Sequence, residues 1–217
     1  MHLKRQEVPK NWPVYRKGTR FVVRPSSDIA RGIPLLILMR DMMGIAQNRK
    51  EVKRAIHMRN VLVNSRPAMD DKGSVLLFDV ITIVPEKKSY RLTLTEGGKM
   101  DVQEIKDSEA GSKVSKIRDK KILKGKKIQL NLEDGNNFLS EIKCDTNDSV
   151  VVNLKDRKVE KCIPLAEKAK ALVFAGKHAG KSGVIKKIDL DKGMIELDIG
   201  SDKGIISVLI KQMMVTE

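Results

Sequence analysis

Aromatic residues are scarce in this chain: one Trp, two Tyr and four Phe among 217 residues. Long apolar runs are missing too. The longest, Pro34–Met39, Val75–Phe78 and Val80–Val84, fall far short of the roughly 18 residues a membrane-spanning helix needs. The two cysteines, Cys144 and Cys162, stand in no Cys-x-x-Cys pair and beside no second Cys/His pair. That excludes the usual zinc frameworks and leaves two free thiols in a reducing compartment as the expectation. No apolar stretch follows Met1-His2-Leu3-Lys4-Arg5, so no secretory signal is expected and the protein is expected in the cytoplasm. Negative charge is in short supply: 43 Lys plus Arg stand against 28 Asp plus Glu, a net charge of +15. Because 41% of the residues are hydrophobic, the chain can build packed cores and is not a disordered basic tail. The excess charge points to a polyanionic partner.

The charge is placed unevenly. Residues 1–34 carry 8 basic and 2 acidic side chains, a net +6, while 35–84, 85–167 and 168–217 each carry +3. The first segment holds Pro9, Pro13, Gly18, Pro25 and Gly32, and prolines at this density exclude a long helix. An extended arm is expected, ordered by packing on the rest of the chain or on a ligand. Leu35, Leu38, Met39 and Met42 then fall at helical spacing between Pro34 and Gly44, which predicts a short helix. Asn48 with Glu51 three residues on forms a capping-box pattern for a helix over about Arg49 to Met58. One face of that helix holds Val52, Ala55 and Ile56, the other Arg49, Lys50, Lys53, Arg54 and His57. Like charges at i,i+4 destabilise a helix unless an anion neutralises them. Strands are expected at Asn60–Asn64 and Val75–Val84.

From residue 85 the pattern is β throughout. Alternating runs at Tyr90–Thr95, Lys127–Leu132 and Asp148–Leu154 are separated by Gly- and Asp-bearing turns, and a lysine-rich stretch, Ser112–Lys127, lies between them. After Pro164 a last unit of four short strands is the size of a small barrel, with turns at Asp191-Lys192-Gly193 and Ser201-Asp202-Lys203-Gly204. Its loop, Gly176-Lys177-His178-Ala179-Gly180-Lys181-Ser182-Gly183, is not a phosphate-binding P-loop. Three residues rather than four separate Gly176 from Gly180, and the following run is β-rich rather than helical.

Three resemblances give these pieces a meaning. The block at 34–84, with Asn48–Ile56, Val61–Pro67 and Asp79-Val80-Ile81, resembles the RNA-binding motif named after bacterial small-subunit ribosomal protein four. It departs from that pattern at Ser65 and Phe78, where glycine is common. The loop at 176–183 resembles the KOW motif of ribosomal and elongation proteins. The arm, with His2-Leu3-Lys4-Arg5, Pro9-Lys10-Asn11-Trp12 and Arg24-Pro25-Ser26, and the central stretch Val114–Ile128 resemble the "four-e" family of small-subunit ribosomal proteins of archaea and eukaryotes. The order of modules matches that family over essentially the whole chain, and the chain ends just after the KOW unit, which by this resemblance points to an archaeal member.

The resemblance implies an α+β, mostly β architecture in four parts: an extended basic arm (1–34), a small α/β RNA-binding module (35–84), a central β domain (85–167) and a small SH3-like KOW barrel (168–217). It implies a structural, non-enzymatic constituent of the small ribosomal subunit that binds rRNA by counterion release and shape. Its partners would be rRNA and neighbouring ribosomal proteins, with no cofactor, metal, membrane or small-molecule substrate. The residues expected on rRNA are Lys4, Arg5, Lys10, Trp12, Arg16, Lys17, Arg20, Arg24 and Arg31 in the arm. In the helical module they are Arg49, Lys50, Lys53, Arg54, Asn60 and Arg66. Lys116, Arg118, Lys120 and Lys121 follow in the central stretch, and Lys177, His178, Gly180 and Lys181 in the glycine loop. The competing readings are an RNA-modifying enzyme, disfavoured because residues 85–167 carry no cofactor fingerprint or His/Cys/Asp cluster, and a ribosome-associated or elongation factor.

Overall fold

A computed structural model describes residues 2–125, 127–200 and 204–216. Ser201, Asp202 and Lys203 of the last expected turn lie outside the described residues. The chain forms two compact units, residues 1–93 with 99–111, and residues 94–98 with 112–217.

The first unit begins with the arm, which is folded rather than free. Its strands β1 (Leu3–Lys4) and β2 (Phe21–Val22) pair antiparallel, Lys4 opposite Phe21. Leu3 and Trp12 are buried, and the Asn11 carbonyl accepts a hydrogen bond from the Met100 amide at 2.8 Å. Next, β3 (Ile33–Pro34) pairs with β6 (Ser74–Val75). The expected helix is present as α1, Leu35–Ile37, continued by a wider π turn over Leu38–Met42. In that turn the Met43 amide reaches back to the Leu38 carbonyl at 2.9 Å. Its first amides do not depend on a cap: Leu35 and Leu36 donate to the carbonyls of Gly73 and Asp71, which satisfies donors a helix start leaves open. The apolar stripe is not one-sided, because Leu35, Leu36, Ile37, Leu38 and Met39 are all 2% exposed or less. This segment is a core helix, apolar all round.

Helix α2 spans Arg49–His57 and buries Val52 and Ile56. The Asn48 side chain accepts the Glu51 amide at 3.1 Å. Glu51 returns one residue further than the capping box predicts, taking the Gln47 amide at 2.8 Å and the Asn48 side-chain amide at 2.7 Å. Beyond it, β4 (Val61–Val63) and β5 (Arg66–Pro67) form a hairpin in a sheet of order β5-β4-β7-β8-β9. Here β7 is Val80–Ile83, β8 Lys88–Leu94 and β9 Met100–Ile105. Both positions where the sequence departs from the usual glycine are left-handed, Ser65 at φ 63° and Phe78 at φ 62°. Asn64 at φ 51° and Ser65 make the pair that a type I′ turn demands.

The second unit contains two five-stranded antiparallel sheets. The first, in order β12-β11-β10-β13-β14, is built from β10 (Ser112–Ile122), β11 (Ile128–Leu132), β12 (Asn137–Ser140), β13 (Ser149–Asn153) and β14 (Lys158–Ile163). The long β10 pairs with β13 through residues 112–116 and with β11 through 117–122. The edge strands β12 and β14 approach each other, so the sheet curls around Ile117, Leu130, Leu132, Phe138, Val150 and Val152. The second sheet, in order β18-β17-β16-β15-β19, comprises β15 (Lys170–Val173), β16 (Ser182–Asp189), β17 (Met194–Asp198), β18 (Ile205–Leu209) and β19 (Met213–Val215). Its core includes Val173, Ile185, Ile195, Leu197 and Val215. The sheet of the first unit runs past the expected boundary at residue 84, since β8 and β9 extend it. Hydrogen bonding along β7 and β8, Ile81 opposite Tyr90, holds those strands to the residues that precede them.

Candidate nucleic-acid interface

In α2 the side chains of Arg49, Lys50, Lys53, Arg54 and His57 all stand exposed, because Val52 and Ile56 claim the opposite face for the core. Arg49 is nevertheless engaged. Its Nε lies 2.7 Å from Asp71 Oδ2, and Asp71 is 1% exposed. Burial pushes the Asp71 carboxyl up, but hydrogen bonds from Arg49 and Asp70 and the charges of Arg49 and Lys53 outweigh it, and the net shift is downward. Arg49 therefore orients the helix on the module, while Lys50 and Arg54 carry no ion pair among the described residues. Asn60 is half-buried and Arg66 exposed. Sequence reasoning missed a hydrogen-bonded knot in the same module. Asn64 donates to Asp79 at 2.8 Å and accepts the Val80 amide at 3.0 Å, while Asp79 accepts the Leu76 amide at 2.7 Å. The Asn64-x-Arg66-Pro67 spacing before an isolated Asp79 in an apolar run is the signal for it.

In the arm, Lys4, Lys10, Arg16, Lys17 and Arg20 are exposed and Arg24 is half-buried. Arg31 is exposed and lies 3.4 Å from Asp28. Two expectations are corrected there. Trp12 is 3% exposed, so its ring packs within the protein and cannot stack on RNA. The Arg5 guanidinium donates to the carbonyls of Tyr15 and Thr19 at 2.7 and 2.6 Å and to the Thr19 hydroxyl at 2.8 Å. It holds the arm's own loop together instead of facing a phosphate.

The central stretch is corrected further. Lys116 is 3% exposed. Its ammonium donates to the Ile210 carbonyl and, at 3.0 Å, to the Met213 carbonyl. Burial lowers its pKa to about 8 against the opposing charge of Glu133. A buried cation on two carbonyls ties β10 to the last sheet and is unavailable to a phosphate. Lys120 donates to the Cys144 carbonyl at 2.7 Å. Arg118 and Lys121 do reach solvent. Arg118 sits where the β10–β11 register shifts between Ile117 and Asp119, the kind of bulge that re-aims a side chain.

In the glycine loop, Lys177 is exposed and His178 and Lys181 are half-buried, with Lys181 Nζ 3.3 Å from His178 Nδ1. Gly180 is buried at φ +85°, and a Cβ there would stand 1.8 Å from the Thr95 carbonyl oxygen. Its lack of a side chain serves packing on the 95–98 turn of the same unit rather than a ligand. Among the described residues no group of three or more His, Cys, Asp or Glu side chains is gathered as a metal site, and no helix is long and apolar enough to cross a membrane.

The chain is similar to known proteins. A model of the ribosomal family S4e matches residues 86–159, and one of the RS4NT domain matches residues 1–27. The small ribosomal subunit protein eS4 of Methanocella arvoryzae is 35% identical over 86% of this chain and 80% of its own. That of Nanoarchaeum equitans is 38% identical over 86% and 82%. The crystal structure of the 30S ribosomal protein S4e from Thermoplasma acidophilum superposes with a TM-score of 0.72 at 26% identity, covering 87% of this chain and 95% of that one.

Proposed function

The chain belongs to the S4e family of small-subunit ribosomal proteins, and on that premise we propose how its residues divide the work of holding rRNA. It is a structural constituent of the small ribosomal subunit and not an enzyme; its partners are rRNA and other ribosomal proteins, and its place is the ribosome in the cytoplasm. The working parts are the arm (1–34), the helical RNA-binding module (35–84), the central β domain (85–167), whose first two strands extend the module's sheet, and the KOW barrel (168–217). The rRNA backbone is gripped by the exposed cations of the arm, by Lys50, Lys53, Arg54 and Arg66 of the module, by Arg118 and Lys121, and by Lys177 with the Lys181–His178 pair.

The observation that carries this reading is the α2 face. Like-charged residues four apart are kept exposed there with no ion pair at Lys50 or Arg54 among the described residues, an arrangement an isolated helix disfavours and a polyanion reverses. With roughly six phosphates neutralised, the log–log salt slope is about −5. Replacing Lys50→Glu and Arg54→Glu together tests it, since neither residue supports Asp71. Affinity for small-subunit rRNA is expected to fall roughly 100-fold with the slope shallower by about 1.5, while the urea midpoint stays within that of the parent. Unchanged affinity makes this face an ordinary solvated one.

A further inference from the structure

Only two aromatic side chains of the described residues are exposed, Tyr15 at 89% and Phe21 at 46%. Both lie in the arm, six positions apart, in a chain that has only seven aromatics in all. Solvent exposure of a tyrosine ring to this degree forfeits its burial free energy. Side-chain hydrogen bonds tie down the backbone of this loop. Arg5 donates to the carbonyl of Tyr15 itself and to both oxygens of Thr19. The Thr19 hydroxyl passes a hydrogen bond on to the Phe21 carbonyl at 3.0 Å. Gly18 lies at φ +141°, a backbone conformation that residues with a Cβ rarely adopt, and packs against the Arg5 guanidinium. The ring of Phe21 lies 5.2 Å from that of His2, and the Arg20 guanidinium sits 5.4 Å from the Phe21 centroid. A flexible tail would lose entropy on ordering an aromatic against a ligand; this loop has already been ordered.

We propose that Tyr15 is a base-stacking site for unpaired nucleotides of RNA, with Phe21 and the Arg20 guanidinium over it as the arm's second exposed aromatic surface. Every base has a π face, and an aromatic ring beside cations is the common arrangement for holding a single strand without reading its sequence. Arg16 and Lys17, which follow Tyr15 in the chain, and Arg20 are exposed and would supply the phosphate contacts. The inference rests on the RNA-binding reading above and puts stacking on the exposed ring of Tyr15 and not on the buried ring of Trp12.

The test titrates the full chain with a short adenosine oligoribonucleotide and with an abasic ribose-phosphate strand of equal length, which carries the same phosphates and no bases. The parent protein is expected to prefer the base-bearing strand roughly 5- to 150-fold, the range of one stacked base. Tyr15→Ala is expected to remove most of that preference and leave affinity for the abasic strand unchanged, Tyr15→Phe to retain it, and Phe21→Ala to reduce it less. Because Arg5 grips the Tyr15 carbonyl and not its side chain, the variants are expected to melt as the parent does. A base preference that survives Tyr15→Ala overturns the proposal, as does a parent that binds both strands equally; in either case binding through charge stands. A parent that binds neither strand overturns the RNA-binding reading itself.

Discussion

In the arm, Lys10, Arg16, Lys17 and Arg20 stand in solvent, on short strands and turns too thin to enclose them. In β10, Lys113 and Lys116 point their ammonium groups inside the protein, one 2.7 Å from Asp134 and the other onto two carbonyls. Both stretches are dense in cations, and both read in sequence as ligands for phosphate. The difference is one of enclosure. An eleven-residue strand at the centre of a curled sheet has neighbours on both sides, and its two faces alternate: Lys113 lies on the face turned to Asp134, and Lys116, three residues on, lies on the opposite face against the Ile210 and Met213 carbonyls, so both are enclosed whatever their charge. A lysine forced inward survives by finding oxygen, and once it has done so it fastens protein to protein.

That contrast can be broken most sharply at Lys113. Its partner Asp134 is held below the usual carboxylate range: burial raises it, but the charge and hydrogen bond of Lys113 and the bonds from Asn136 prevail. Lys113→Met leaves that buried carboxylate without its counter-charge and is expected to cost about 3–5 kcal/mol in urea unfolding. Loss of under about 1 kcal/mol would show that the pair is not the fastening described. Next comes Lys116→Met, which strands two carbonyls and is expected to cost about 2 kcal/mol, with the affinity of the folded protein for rRNA unchanged. The same lysine has a pH signature. Its folded-state pKa of about 8 lies below the ordinary lysine value of 10.5, so between these values the unfolded chain holds a proton the folded one has released. Stability of the parent relative to Lys116→Met is therefore expected to rise with pH through that window and to be flat below it. A relative stability that falls with rising pH contradicts the assigned burial. The smallest effect is at Lys121, which shares the strand but is exposed. Lys121→Gln is expected to change stability by less than about 0.5 kcal/mol, and a larger change would mean that β10 uses its outward lysines structurally too.

Local rules carried the reading of the sequence where the physics is local. The capped start of α2 was legible in Asn48 and Glu51, and the hairpins in their alternation and turn residues. The left-handed backbone at Ser65 and Phe78 was legible as the two places where glycine is usual; residues with a Cβ occupy such a conformation at a cost of roughly 1–2 kcal/mol. What was not legible depends on segments far apart in sequence. Lys116 meets carbonyls 94 and 97 residues away, so its charge and spacing say nothing of its burial. Gly180 reads as a ligand-facing glycine until the Thr95 carbonyl is seen against it. Trp12 and Tyr15, three residues apart, differ in fate because one side of the arm packs and the other does not. The strands at 88–105 belong to the preceding sheet by hydrogen bonding, which alternation alone cannot assign.

The central claim, that the cations of the arm hold RNA whereas the inward lysines of β10 hold the protein, is tested most directly by the salt dependence of rRNA binding. Arg16, Lys17 and Arg20 replaced together by Gln are expected to make the log–log slope shallower by about 2–3, with unfolding unchanged, whereas Lys116→Met is expected to leave the slope as in the parent. A slope unmoved by the arm substitutions, or one made shallower by Lys116→Met in protein shown to be folded, would contradict it.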